Sequence, residues 1–477
     1  MTTNFSLPIR AKPYRHQVDA YHFVCNLFGI AHDTPISRGA ALLMEMGTGK
    51  TITSIAIAGA LYHAEKACKM LIVAPLSILG VWEEEFAKFA NFTYALTILT
   101  GTLAQKREQL FGSHAQGLQV VVVNYESAWR MEDALLRWDA DFIVADEGHK
   151  IKTHNISASK AMHRLGAKAR YRLLLTGTII TNKAIDVFSP YKFLNPAIFG
   201  SSFYAFRNRY FDMVGYGNHT PVLKKQMETD LTDRLHSIAY RATKAECLDL
   251  PDTVEIVRHV ALEASAQKIY RSLVKDSYAE LDKGDITVTN ILTRLLRLSQ
   301  LTGGFIGSDA CRTAQQISCA KLNALSDILD SSLADGQKTV VVARFVPEID
   351  AICKMLTARN LRYSLIKGGV KDRAAQVEQF QQDADVSVFV GQIATAGLGI
   401  TLTAAKTMVF YSLDYSMSNF EQTKARIHRV GQKQDCTYLY LIAQNTVDEK
   451  VLNALRQKAN LAKMLVDETR HGLNPFQ

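Results

Sequence analysis

Short apolar runs rich in Val, Ile and Leu, without polar alternation, recur along the chain between longer segments of helical character. In the first half they are Ala41–Met44, Met70–Ala74, Leu118–Val123, Phe142–Ala145 and Tyr171–Leu175. In the second half they are Thr339–Ala343, Tyr363–Ile366, Val386–Val390, Thr407–Tyr411 and Cys436–Ile442. A strand with one wet face alternates apolar and polar residues; a run that does not alternate suits a strand covered on both faces. Strands of this kind separated by helices imply parallel α/β sheets. Two such series predict two α/β lobes, over residues 1–200 and 321–446. Residues 201–320 read as helical insertions and the connection between lobes, interrupted by a Gly-rich turn region at Tyr210–Pro221. Residues 447–477 read as one or two terminal helices.

The sharpest local pattern is Met44-Glu45-Met46-Gly47-Thr48-Gly49-Lys50-Thr51, placed between an apolar strand and the plausible helix Ile52–Ala60. Glycines let backbone N–H groups approach phosphates, and a helix N-terminus adds positive potential. In that setting Lys50 reaches the β- and γ-phosphates and Thr51 holds Mg²⁺. Met46, Gly47, Thr48 and Gly49 supply the cradle. The generic pattern begins with Gly, where this chain has Met44, but the GxGKT half is intact. A second element, Asp146-Glu147-Gly148-His149, ends the strand Phe142–Ala145. It places two carboxylates at the edge where ligands sit in α/β sheets. Asp146 is expected to bind Mg²⁺ and Glu147 to polarise the attacking water. An acidic pair at a strand end is often only a helix cap; the upstream phosphate loop makes the catalytic reading the better one. ATP and Mg²⁺ are the cofactors this pair of motifs implies.

Lys and Arg number 55 against 46 Asp and Glu, a formal net charge of +9, which suits a polyanionic partner. Seven cysteines are scattered with none in a CxxC pair, which suits reduced thiols rather than a zinc site. No apolar run reaches the length of a membrane span and the polar start of the chain is unlike a signal peptide, so no membrane partner and a cytoplasmic location are expected.

With these motifs read, the chain from about Pro13 to Val451 resembles the Snf2 family of helicase superfamily 2. The resemblance implies two tandem RecA-like parallel-sheet lobes with helical insertions between them. Pro13-Tyr14-Arg15-His16-Gln17 resembles the leading Q-type motif, in which Gln17 reads the adenine. Ala74-Pro75-Leu76-Ser77, with Trp82 and Glu85-Phe86, looks like motif Ia, and Asn124-Tyr125-Glu126 looks like motif Ib. The family uses these regions near the nucleic-acid backbone, which assigns Pro75, Ser77, Asn124 and Tyr125 to nucleic-acid binding. Asp146–His149 matches motif II, and Thr176-Gly177-Thr178 is similar to motif III; His149 and that triplet couple the ATP site to the track. Phe193–Pro196 and Tyr240-Arg241-Ala242-Thr243-Lys244 are also Snf2-like. In the second half Arg344-Phe345 resembles motif IV, and Thr395 through Thr403 resembles motif V, adding Arg344, Thr395 and Gly397 to the nucleic-acid contacts. Gln422 through Gln432 (QTKARIHRVGQ) is close to the Snf2 form of motif VI, with Gln422 in a coupling role.

Motif VI makes independent physical sense. Arg426 and Arg429 are three residues apart, which predicts a shared helix face. Guanidinium groups there can clamp γ-phosphate oxygens and stabilise transition-state charge. Because they lie far in sequence from Lys50, the resemblance implies an ATP site completed by lobe closure, the step that turns hydrolysis into movement. The chain departs from the family pattern at Ala425, at Ala394–Gly397 and at Tyr415, positions that bear on coupling and DNA contact but not on Lys50, Asp146, Glu147, Arg426 or Arg429. The middle of the chain looks most like compact bacterial and bacteriophage Snf2-type proteins.

The expected function is therefore an ATP-driven translocase on duplex DNA that displaces proteins or remodels DNA structures. Its alternative is a strand-separating helicase on DNA or RNA, for which Tyr210–Pro221 offers a place for a wedge. A non-enzymatic module with a relic ATP site is disfavoured by the intact motifs. A replication, recombination or nuclease protein is the kind of partner expected to recruit such a motor. Trp82, Trp129 and Trp138 could stack on bases, but packing is the commoner fate of Trp.

Overall fold

The computed structural model describes residues 7–466 except 31–33, 113–115, 178–182, 215–219, 249, 282–287, 308–313, 371 and 394–398. The chain divides into two compact units, one formed by residues 1–249 with 458–477 and the other by residues 250–457.

The first unit is built on a parallel sheet. Its strands are β1 (Gly39–Met44), β2 (Lys69–Ala74), β3 (Tyr94–Ile98), β4 (Leu118–Asn124), β5 (Phe142–Asp146) and β6 (Tyr171–Leu175). An antiparallel hairpin, β7 (Phe211–Val214) and β8 (Thr220–Leu223), comes next, and then β9 (Ala239–Ala242), which returns to the sheet. The order across the sheet is β3-β4-β2-β5-β6-β1-β9. Every residue of β1 and β5 is buried, as runs without alternation require when helices cover both faces. Three helices position the candidate site: α1 (Arg15–Leu27), α2 (Lys50–His63) and α3 (Leu79–Phe89). The core joins α1 residues Tyr21 and Val24 to the strands and to Trp82 and Phe86 of α3.

The second unit carries β10 (Thr253–Val260), the short antiparallel pair β11 (Phe305–Gly307) and β12 (Ala314–Gln316), and then β13 (Lys338–Ala343), β14 (Arg362–Ile366), β15 (Val386–Gln392), β16 (Ala405–Phe410) and β17 (Cys436–Ala443). The main sheet is parallel in the order β10-β17-β16-β13-β15-β14. Among the described residues no helix is long and apolar enough to cross a membrane.

All ten apolar runs fall on strands. Residues 201–320, read as helical insertions, contain more than helices. β9 pairs with β1, running from Ala41 opposite Ala239 to Met44 opposite Ala242, and β10 pairs with β17 over its whole length. Each is an edge strand, and β10 is largely exposed along its first half. Neither therefore needs the unbroken apolar run that marks a central strand, so neither stands out in sequence. The Gly-rich turn region at Tyr210–Pro221 is the β7–β8 hairpin, whose connecting residues lie outside those described.

Candidate active site

The phosphate loop lies between β1 and α2. Gly47 and Gly49 both have positive φ, at 85° and 92°, so the turn into α2 uses the conformation that glycine tolerates best. The Lys50 ammonium folds back onto the loop and donates to the carbonyls of Met44 at 2.9 Å and Glu45 at 3.2 Å. Burial pushes the Lys50 pKa down, while Glu147, Asp146 and Glu45 pull it back up. Thr48 is buried, and its hydroxyl donates to the Glu45 carbonyl at 2.7 Å. Thr51 occupies the second position of α2 and is partly exposed.

Residues from α1 and β9 hold this loop. The Gln17 amide donates to the Thr48 carbonyl at 3.2 Å, and the same carbonyl lies 2.7 Å from His16 Nε2. Glu45 is held from the other side: its carboxylate accepts from the Lys244 backbone N–H at 2.9 Å and pairs with Arg241 at 3.5 Å. Arg241 is itself buried and donates to the carbonyls of Leu43 and Gly177 at 3.0 and 3.3 Å. It thus ties the end of β1 to the Thr176-Gly177 segment. Thr176 is fully buried, and its N–H bonds the Leu42 carbonyl at 3.2 Å. Thr178 lies outside the described residues.

Asp146 ends β5 and is buried. Its Oδ1 accepts from the Glu147 N–H at 2.9 Å and its Oδ2 from the Trp82 indole at 3.1 Å. Its backbone carbonyl accepts from the Tyr125 hydroxyl at 2.7 Å. Burial, then repulsion from Glu147, push the Asp146 carboxyl up to about 7, against the pull of Lys50. Glu147 has φ +52°, a left-handed conformation uncommon outside glycine, which ends the strand abruptly. Its carboxylate lies 3.3 Å from His149 Nδ1. Gly148 fits there because a Cβ would collide with the Leu174 side chain.

Two carboxylates therefore act on one partly buried ammonium at the ends of the strands, leaving negative charge for a divalent cation to neutralise. The Thr51 hydroxyl and the Asp146 carboxylate are oxygen donors of the kind that holds Mg²⁺ together with substrate phosphates. Among the described residues no cluster of three His, Cys, Asp or Glu forms a self-sufficient metal cage. The donor set thus fits a cation that arrives with the nucleotide.

Tyr125 and Asn124, expected at the nucleic acid, both have buried side chains: Tyr125 bonds the Asp146 carbonyl, and Asn124 donates to Glu126 at 2.9 Å. Pro75 is partly exposed and its neighbour Leu76 is 69% exposed. The Ser77 side chain lies outside the described set. Trp82 and Trp138 are buried, whereas Trp129 is exposed beneath the Arg130 guanidinium.

In the second unit the expectation of a shared helix face for Arg426 and Arg429 does not hold. The helix Met417–Lys424 ends before them, and both lie in the turns that follow. The Arg426 carbonyl is taken by the Leu402 N–H at 3.0 Å, and Gly431 at φ +101° turns the chain away. Gln432 closes the turn by donating to the carbonyls of Ala405 and Ile427 at 2.9 and 3.2 Å. The two guanidinium groups still converge, since each donates to the Ile400 carbonyl at 3.3 Å. Gln422 is buried, and its carbonyl accepts from Arg426 Nε at 2.9 Å. Arg344 leaves β13 to stack on Phe345 and Tyr415, at 5.0 and 4.9 Å from the ring centroids. Thr395 and Gly397 lie outside the described residues.

Two parallel α/β units, the first with a glycine phosphate loop opposite a strand-end acidic pair, define the class of tandem RecA-like phosphate-loop proteins. Residues 24–303 match the family model of the SNF2-related domain, and residues 320–431 match that of the helicase conserved C-terminal domain. The chain belongs to the SNF2-related family. It is 26% identical over 439 residues to an uncharacterized ATP-dependent helicase of Mycoplasma genitalium, covering 90% of this chain and 40% of that protein. It is 26% identical over 450 residues to the human DNA excision repair protein ERCC-6, covering 87% of this chain and 30% of that one. The chain thus spans less than half the length of these relatives. Among solved structures, the Sulfolobus solfataricus SWI2/SNF2 ATPase core in complex with dsDNA matches 97% of this chain and 96% of its own, at 24% identity and a TM-score of 0.47.

Arg241, Glu45 and Trp82 are the residues whose roles sequence reading did not assign. The five-residue stretch around Arg241 was visible as family-like, but its target, the Glu45 carboxylate, becomes visible only when β9 lies beside β1.

Proposed function

We propose that the chain is an ATP hydrolase that couples turnover to movement on duplex DNA. The observation that carries the reading is the partly buried Lys50 ammonium, folded onto the Met44 and Glu45 carbonyls of the loop, with Asp146 and Glu147 at the end of β5 in the same sheet. Lys50, the loop glycines and Thr51 bind the triphosphate, with Thr51 and Asp146 holding Mg²⁺. The cation supplies charge neutralisation at the phosphates. Glu147 takes the proton from the attacking water, held by its left-handed backbone and its contact with His149. Gln17 reads the base, and Arg426 and Arg429 stabilise charge on the γ-phosphate in the transition state. His149, Thr176, Gly177 and Gln422 couple this chemistry to the track. Pro75, Ser77 and Arg344 contact the nucleic-acid backbone. The steady-state ATPase rate without nucleic acid and with single-stranded DNA, duplex DNA and RNA, using Lys50→Ala as the blank, tests the reading. Stimulation chiefly by duplex DNA supports it; no stimulation by any of them overturns it.

The β7–β8 hairpin favours a second reading, a strand-separating helicase. Val214 and Val222 present apolar side chains on this two-stranded projection, at 42% and 47% exposure. Displacement of a labelled strand from a forked duplex, lost in Val214→Ser/Val222→Ser, would establish it.

A further inference from the structure

Asp146 receives two side-chain hydrogen bonds that the catalytic scheme does not use. One comes from the Trp82 indole to its carboxylate and the other from the Tyr125 hydroxyl to its carbonyl, at 3.1 and 2.7 Å. The donors stand on different elements. Trp82 lies one turn into α3, which begins just after the connection out of β2. Tyr125 is the first residue of the helix Tyr125–Arg130, which follows β4 directly. In the sheet β4, β2 and β5 are consecutive neighbours, so the chain segments leaving β4 and β2 both run past the end of β5. These segments are the ones that carry Pro75, Ser77, Asn124 and Tyr125. Leu76 and Glu126 on them are exposed, while Trp82 and Tyr125 are buried. Each segment therefore presents an outer surface and sends one buried donor inward to the same acidic residue.

We propose that Trp82 and Tyr125 are positioning residues that link nucleic-acid occupancy of the two surface segments to the placement of Asp146. A buried indole N–H must find some acceptor. Here the acceptor is a carboxylate oxygen, and an N–H···O⁻ bond of this kind is directional and stronger than a neutral one. It sets the carboxylate rotamer and leaves the second lone pair of Oδ2 to a metal or its water. The Tyr125 bond fixes the backbone from which that carboxylate projects. Displacing either segment changes the length or angle of its bond to Asp146 and so re-aims that residue. In this arrangement phosphates on the outer face act on nucleotide chemistry through two hydrogen bonds.

The inference rests on the ATPase reading above, and its test has a readout that does not. Tyr125→Phe keeps the ring and removes only the hydroxyl donor, whereas Trp82→Phe removes the indole N–H together with part of a buried ring. Mn²⁺ binding to the protein–ADP complex, followed by electron paramagnetic resonance, is expected to weaken roughly 10-fold in each, the scale of an outer-shell ligand loss. The kcat at saturating duplex DNA is expected to fall about as much, with the Kd for DNA unchanged. Wild-type Mn²⁺ affinity in both variants overturns the proposal. So does a loss of DNA affinity matching the loss of kcat, because that assigns the pair to packing of the binding surface. If Trp82→Phe does not fold, β-(3-benzothienyl)alanine at position 82 removes the N–H within the same outline. If the wild-type protein shows no DNA-stimulated turnover, the translocase reading fails, and the Mn²⁺ measurement still decides whether these donors place Asp146.

Discussion

The side-chain amide of Gln17 fills the space that a Cβ on Gly49 would need, so that any side chain there would overlap it. Gly49 also sits at φ +92°, where a larger residue costs about 1–2 kcal/mol. Gly49→Ala is therefore expected to displace Gln17 from the Thr48 carbonyl and distort the loop. Titration with a fluorescent nucleotide should show affinity falling at least 10-fold, alongside a lower melting temperature. Unchanged affinity would mean that the loop does not depend on this fit.

Arg429 and Arg426 share the Ile400 carbonyl although they share no helix. Arg429→Ala should spare nucleotide binding and lower turnover by roughly 10³-fold, the scale of an arginine finger. Lys50→Ala should abolish hydrolysis, and Glu147→Gln should bind ATP without turning it over. Normal turnover by Arg429→Ala, measured at saturating ATP and DNA, would remove it from the chemistry.

Lys321 is buried in the second unit and bonds Asp448 at 2.6 Å and the Tyr411 carbonyl at 3.1 Å. Asp448 also accepts from the Thr302 hydroxyl at 2.7 Å. Lys321→Met strands a buried carboxylate and should cost about 3–5 kcal/mol in urea unfolding of that unit. Lys321→Met/Asp448→Asn should recover much of that loss, since it removes both charges together.

Glu348, fully buried near this pair, accepts from the Ser412 hydroxyl at 2.6 Å and the Phe345 N–H at 3.1 Å. Burial pushes its carboxyl up to about 7; Ser412, Phe345 and Lys321 oppose the rise and Asp448 adds to it. The native state therefore holds a proton that the unfolded chain has released, and stability falls as pH rises from about 4.5 to about 7. Glu348→Gln cannot ionise. The stability of the wild type relative to it should drop across that window by up to roughly 3 kcal/mol. Parallel pH profiles of the two melting temperatures would contradict this.

The interior strands were legible because a strand buried on both faces must be apolar throughout, whatever its neighbours are; the edge strand β14, only partly buried, was legible through the run Tyr363–Ile366. The phosphate loop and the Asp146-Glu147 pair were legible because their chemistry is confined to a few adjacent residues. The edge strands β9 and β10 carry mixed composition, β9 because it buries Arg241 beside its alanines and β10 because its first half is exposed, and they were hidden in a stretch read as helical. Spacing placed Arg426 and Arg429 on one helix; the Leu402 N–H and the Gln432 side chain took the carbonyls that a longer helix would have used.

By itself the sequence determined two parallel α/β units, the glycine loop between β1 and α2 and the acids that end β5, because strand burial and phosphate chemistry act through local pattern. Only the tertiary structure decided what grips those groups. Gln17, Arg241, Trp82 and Tyr125 meet the loop or Asp146 from 21 to 196 positions away. Hydrogen-bond partners at such separations are chosen by the order of strands in the sheet, and no spacing along the chain encodes that order.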